Sequence, residues 1–279
     1  MKEKAKRDIH ASWQQEGLRV RRDDKEGREW LYGRLPVYET LRAARRKVLR
    51  LYLAREVRGD KELEEVAGVA ASLGVPVAAA DRRQLDALLG RVNHQGIAAE
   101  VSPYPYVEFD DLVSQTTASE NALLLLLDHL QDPQNVGALM RTADAVGVHG
   151  VIIPADRAAG ITPAVVRASA GAAEHVKVAV VVNLARVMRE LRELGVTVVG
   201  LEMHPAARLY TEVDLKPALG LVIGSEERGL GRLVRESCDY MIRIPIFGRV
   251  TSLNTSVAGA VALYEVVRQR SGYQCSKTH

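Results

Sequence analysis

The stretch that decides the fold is Leu221–Arg270, LVIGSEERGLGRLVRESCDYMIRIPIFGRVTSLNTSVAGAVALYEVVRQR. An apolar strand, Leu219–Ile223, runs into a glycine-rich turn that carries Glu226. A second, Met241–Ile246, runs into a turn that carries Ser252, Asn254 and Ser256 directly ahead of a helix. Polar turns placed after buried strands are how a parallel α/β sheet presents chemistry at the carboxyl ends of its strands. The pattern implies a site rather than a core.

Working outward, LLLLLD at Leu123–Asp128 is an apolar run short enough for a strand buried on both faces. Further strand candidates at Gly150–Ile153, His175–Val182 and Val196–Leu201 alternate with helical segments, which predicts a parallel sheet covered by helices on both sides. In DHLQDPQNVGALMRTADAVG, Asp128–Gly147, Pro133 and Asn135 introduce a helix. Val136, Leu139, Met140, Ala143 and Val146 share the arc facing the sheet, whereas Gly137, Ala138, Arg141 and Ala145 share another. One long cation thus rises from a face of small residues, leaving room for a ligand or a second subunit. Taken singly, Asn135 reads as a helix cap and Arg141 as a surface ion-pair partner. GSEERGLG, Gly224–Gly231, lacks GxGxxG spacing and sits late in its domain, so a dinucleotide fold is disfavoured. The last helix is expected to be capped by Asn254 or Ser256, with Val257, Val261 and Tyr264 in its apolar stripe.

The rest of the chain divides by composition. Residues 1–28 are charged and read as a flexible basic arm. Residues 29–101 read as a small α/β domain: a helix after Pro36, a strand at Val48–Arg55, a helix at Leu63–Leu73, a strand at Val75–Ala79 and a short helix at Leu85–Leu89. Residues 102–121 hold two prolines among polar residues and read as a linker, leaving 122–279 for the second domain. Arg42, Arg45, Arg46, Lys47, Arg50, Arg55 and Arg58 gather against the single acid Glu56. Such a cluster either neutralises phosphates or forms a solvated helix face.

Net charge of +3 and pI of 8.8 are mildly basic and point only weakly to nucleic acid. Two cysteines, Cys238 and Cys275, without His or Cys partners at metal spacing, indicate neither a disulfide framework nor a metal site. A reducing, cytoplasmic compartment is expected. The amino terminus lacks the apolar segment of a signal peptide, its Glu3, Asp8 and Glu16 argue against a transit peptide, and no apolar run reaches membrane-spanning length.

At NVGALMRTA (Asn135–Ala143), IGSEERGL (Ile223–Leu230) and IPIFGRVTSLNTSVA (Ile244–Ala258) the chain resembles the SpoU (TrmH-like) branch of the SPOUT superfamily of RNA ribose 2'-O-methyltransferases. YGRLPVYETL and NHQGIAAE, at Tyr32–Leu41 and Asn93–Glu100, are similar to the L30e-like substrate-binding domain preceding the catalytic domain in many members. The nearest branch methylates a guanosine ribose in the P loop of large-subunit ribosomal RNA. The resemblance implies a SPOUT-type α/β fold with a carboxyl-terminal trefoil knot, S-adenosylmethionine as cofactor, no metal, and a homodimer whose partner helps complete the site. It implies cofactor contacts at Gly224, Ile244 and Leu253, with Gly200 and Leu201 nearby. It implies a catalytic cluster of Asn135, Arg141, Glu226, Ser252 and Asn254. The RNA contacts expected on the small domain are Arg42, Arg45, Arg46 and Arg50.

The implied chemistry is in-line displacement by a ribose 2'-oxygen, which requires alignment and removal of the hydroxyl proton. Arg141 is the family's candidate for proton removal, but an arginine stays protonated in proteins. It therefore either holds the 3'-phosphate and favours the developing alkoxide, the proton leaving to water or phosphate, or it is an unusually perturbed base. Glu226 and Asn135 are expected to orient it, and Ser252 and Asn254 to position ribose or cofactor. Two other readings stand beside this one: methylation of transfer RNA, and an inactive RNA-binding assembly factor.

Overall fold

The computed structural model describes residues 27–55, 59–116 and 121–271. The expected arm lies, up to residue 26, outside the described residues, as do Arg58 and Cys275. Described residues up to Pro105, together with Ile161–His175, form one compact unit; Tyr106–Gly160 and the residues from Val176 onward form another. The helices in chain order are α1 (Arg34–Ala43), α2 (Lys61–Ser72), α3 (Arg82–Leu89), α4 (Phe109–Thr116), α5 (Pro133–Val146), α6 (Pro163–Ala168), α7 (Leu184–Glu193), α8 (Arg232–Glu236) and α9 (Thr255–Arg270).

The first unit is built on strands β1 (Glu29–Tyr32), β2 (Val48–Ala54), β3 (Val77–Ala80) and β4 (Ile97–Val101), in the order β1-β4-β2-β3. β4 is antiparallel to β1 and β2, and β3 is parallel to β2. Helix starts follow side-chain chemistry. Asp60 accepts from the backbone N–H groups of Glu62 and Leu63 at the head of α2, and Asp81 with Gln84 forms a reciprocal capping box on α3. Each such cap contributes about 1 kcal/mol by satisfying donors that the helix leaves open. Helix α1 starts two residues before Pro36, which fits because a first-turn residue needs no N–H partner.

The second unit carries β5 (Leu123–Asp128), β6 (Gly150–Pro154), β7 (Val178–Val181), β8 (Thr197–Leu201), β9 (Arg208–Leu209), β10 (Leu219–Gly224) and β11 (Tyr240–Arg243). Their order is β7-β6-β5-β10-β8-β11-β9, with every neighbouring pair parallel. All residues of β5 and β10 are buried, as expected for central strands covered on both faces. The chain lays β5, β6 and β7 outward to one edge, then crosses to β8, and β10 later inserts between β5 and β8.

Two expectations change. The stretch read as a linker contains α4, whose Leu112 and Val113 are buried and whose Leu112 packs against Gly150 so closely that a Cβ there would lie 2.4 Å from it. Phe109, Leu112, Val113 and Thr116 recur at i, i+3, i+4 and i+7, a helical stripe hidden among polar neighbours. In α9 the buried face is Gly259, Ala262, Leu263 and Val266, whereas Val257 and Tyr264 are 50% and 54% exposed. Of the expected apolar stripe, Val257 and Tyr264 face outward and Val261 is half-buried, so this helix is apolar on both sides.

Candidate active site

The strand ends converge first. Gly224 pairs in register with Asp128, and Ile223 with both Leu127 and Leu201, so the carboxyl ends of β5, β10 and β8 lie level. The turn leaving β10 then folds back on itself. Ser225 and Gly229 bridge, Gly229 takes φ of 61°, and a Cβ on Gly224 would lie 2.3 Å from the Gly229 carbonyl carbon. Only glycine fits at both positions.

That turn presents Glu226 to the head of α9. Asn254 caps α9, its Oδ1 accepting from the backbone N–H of Ser256 at 3.0 Å and of Val257 at 3.2 Å. Its Nδ2 donates in the other direction, to Glu226 Oε1 at 2.5 Å and to Asn135 Oδ1 at 2.9 Å. Thr255 N–H also donates to Glu226 Oε1, at 3.3 Å. Asn135 is not the cap of α5; Asp132 holds that place, accepting from Gln134 N–H, and Asn135 is buried in the first turn. Asn254 is thus cap and bridge at once, and Asn135, Glu226 and Asn254 form one hydrogen-bonded chain.

Two cavities flank this chain. One, of about 400 Å³, is lined by Leu201, Gly224, Ile244, Ser252 and Leu253 among others. The second, of about 720 Å³, is lined by His129, Arg157, Arg228 and Asn135 among others. Ser225, Glu226, Gly229 and Thr255 belong to both, so the Glu226 turn is their common wall. Gly200 lines neither. It is buried in β8, where a Cβ would lie 2.6 Å from Met241 Sδ, so its smallness serves strand packing.

Arg141 is exposed, lines neither cavity, and among the described residues makes no hydrogen bond or ion pair. Helical geometry places it about 9 Å along and about 120° around α5 from Asn135. Within one chain Glu226 and Asn135 therefore do not orient Arg141; Asn254 takes their hydrogen bonds instead.

The four arginines expected on RNA also separate. Arg46 is fully buried, paired with Glu174 and, at 2.6 Å, with Glu29. Arg45 donates to the Tyr104 hydroxyl and to the Glu174 and Pro105 carbonyls. A guanidinium so enclosed has no room for phosphate, which removes Arg46 from the docking surface and leaves Arg45 a poor candidate. Arg42 is exposed beside Glu39 and over the Tyr38 ring, and Arg50 is half-buried on β2.

Sequence reasoning missed Glu202, which lines the smaller cavity immediately after β8. Burial opposes its ionisation, but Arg235, donating to both carboxylate oxygens at 2.6 and 2.8 Å, and Leu230 N–H outweigh that. The carboxyl is held below the usual carboxylate range. Also missed were Asp128 and His129, the end of β5 and the residue after it. A charged residue closing the run LLLLL is the signal that could have found them. Among the described residues no group of three or more His, Cys, Asp or Glu could hold a metal ion, and no helix is long and apolar enough to cross a membrane.

Residues 122–264 match the model of the SpoU rRNA Methylase family, and residues 30–107 match a model described as RNA 2'-O ribose methyltransferase substrate binding. A Bacillus subtilis protein named as a TrmH family tRNA/rRNA methyltransferase, YacO, is 43% identical over 87% of this chain and 96% of its own. A Mycobacterium leprae protein named as a tRNA/rRNA methyltransferase is 43% identical over 90% of this chain and 80% of its own. The crystal structure of the SpoU methyltransferase AviRb from Streptomyces viridochromogenes, in complex with AdoMet, is similar with a TM-score of 0.73 at 28% identity, covering 95% of this chain and 98% of that one.

Proposed function

The chain belongs to the SpoU methyltransferase family, and from that premise we propose that it methylates a ribose 2'-hydroxyl, on a guanosine in the P loop of large-subunit ribosomal RNA. As a family member it is an S-adenosylmethionine-dependent RNA methyltransferase. The observation that carries the finer reading is the Asn135–Asn254–Glu226 chain standing on the wall between two cavities, one for a donor and one for an acceptor.

The smaller cavity suits the cofactor: Leu201, Ile244 and Leu253 offer apolar contact, and Gly224 lines it where the glycine turn begins. When bound there, S-adenosylmethionine supplies a methyl group on a cationic sulfur that becomes neutral on transfer. The protein's part is alignment. Asn254, itself bonded to Ser256, Val257 and Asn135, holds the Glu226 carboxylate at the wall, and Ser252 lines the same cavity to position ribose or cofactor.

A second copy of the chain completes this reading. The outward apolar residues Val257 and Tyr264 of α9, which packs with α5, offer a face that a homodimer would cover, and Arg141 lies on α5. Arg141 then reaches the ribose phosphate across the contact. The insertion of β10 between β5 and β8 is compatible with threading of the carboxyl-terminal segment into a trefoil knot. RNA docks on the first unit through Arg42 and Arg50, and the compartment is the cytoplasm.

Ribose-methylation mapping of total RNA from cells with and without the gene tests the proposal. Loss of one 2'-O-methylguanosine from large-subunit ribosomal RNA is the expected result. Loss confined to transfer RNA would replace the target, and no loss at all would end the reading. Single-turnover transfer that stays at wild-type rate in Arg141→Ala and Arg141→Lys would remove Arg141 from it.

A further inference from the structure

The larger cavity holds a group that the family motifs do not use. Asp128 ends β5 fully buried, and its Oδ2 accepts from Gly231 N–H at 2.7 Å. Its Oδ1 lies 2.5 Å from Nδ1 of His129, whose side chain is 44% exposed and lines the cavity. An Nδ1–H donating to that carboxylate leaves the lone pair on Nε2, the ring nitrogen still accessible. His129 is held at φ of 57°, and Arg157, across the same cavity, at 55°. A left-handed backbone is unfavourable for a residue that carries a Cβ. Two such residues lining one cavity mark a place where side-chain position outweighs backbone comfort.

We propose that His129 is a catalytic residue, the proton acceptor for the ribose hydroxyl, with Asp128 as its positioning residue. This rests on the methyltransferase reading above. An acceptor nucleotide entering the larger cavity meets Arg157 and Arg228, two cations for its flanking phosphates, and reaches the Glu226 wall. There the 2'-oxygen loses its proton to Nε2, keeps the O–H electron pair, forms the new bond to the methyl carbon and displaces the neutral thioether. The imidazolium so formed lies against Asp128, as in a histidine–aspartate pair that fixes one tautomer and stabilises the charged ring. An imidazole can be neutral at neutral pH, whereas an arginine cannot, so His129 supplies what Arg141 lacks. The charged groups around it are Asp128 on β5, in direct contact, and, lining the same cavity, Asp132 at the head of α5, Arg157 after β6, and Glu226, Glu227 and Arg228 after β10.

His129→Gly removes the imidazole and relaxes the left-handed position, but leaves the buried Asp128 Oδ1 without its partner, so its folding is checked by thermal unfolding first. With undermethylated RNA from cells lacking the gene, single-turnover transfer is expected to fall about 100-fold or more, to lose its rise with pH, and to recover with added imidazole. Unchanged rate and pH profile would overturn the proposal. Wild-type enzyme that methylates no ribose would instead sink the methyltransferase reading, so the two failures are distinct. A second readout needs no turnover. In protein saturated with S-adenosylhomocysteine, guanosine 3'-monophosphate should shift the His129 Nε2 resonance more than its 2'-deoxy analogue does, and equal responses would overturn the assignment.

Discussion

In the first unit Glu174 meets Arg46 where both side chains are at most 1% exposed, while in the second Glu226 meets Asn254 on the exposed wall of two cavities. Both clusters join a carboxylate to a nitrogen donor, yet they do opposite work. The enclosed pair cannot admit a ligand, and removing one partner leaves a buried charge with nothing to neutralise it. The open cluster gives up little stability if lost, because water reaches Glu226. Accessibility, not residue type, separates a charge sealed into the fold from one left open to a ligand.

The sharpest way to break that contrast is Arg46→Ala. It should cost about 3–5 kcal/mol of stability in denaturant unfolding, since it strands Glu174 and Glu29. A mild effect on stability with a large one on RNA affinity would return Arg46 to the docking surface. Asn254→Ala should show the reverse balance: about 1 kcal/mol lost with the α9 cap, and single-turnover methyl transfer down by about 100-fold as Glu226 and Asn135 lose their bridge. A rate loss no larger than the stability loss would make Asn254 a cap alone. Arg42→Glu should weaken RNA binding and lower the salt slope by about one, measured by titration at several salt concentrations, with cofactor affinity unchanged.

The smallest expected effect lies between the two clusters in character. Glu202 is partly enclosed and its carboxyl is depressed, so the stability it contributes is complete above the ordinary carboxylate value of 4.5 and is lost as pH falls through the lower folded value. Thermal unfolding from pH 7 to pH 3 should therefore decline less steeply in Glu202→Gln than in wild type. Parallel curves would show that Arg235 does not hold the charge in solution.

How much of this was legible follows the same line. The second sheet could be read because β5 and β10 are buried along their whole length, so their sequences are apolar without interruption. The polar turns after β5, β10 and β11 were visible as departures from that pattern, and they carry Asn135, Glu226 and Asn254. Burial of charge was not legible. Arg46 looks like its basic neighbours, and its partner Glu174 lies 128 residues away, a separation no local pattern spans. Helix α4 was missed because a single apolar face needs only Phe109, Leu112, Val113 and Thr116 among polar residues. The stripe of α9 was legible as apolar but its direction was not, because a helix apolar on both sides does not announce which side meets its own chain.

The membership of Ile161–His175 in the first unit has a practical consequence for anyone who would transplant that unit. In sequence the segment lies within the match at 122–264, yet it carries Glu174, along with His175, which reaches Glu39 at 2.7 Å, and Arg167, stacked on Tyr32. A chimera cut once near residue 105 would deliver an incomplete module, lacking the acid that neutralises Arg46. Swapping recognition between relatives therefore requires two exchanged pieces of chain, and a shuffled library with one crossover point would discard the very combinations it was built to sample.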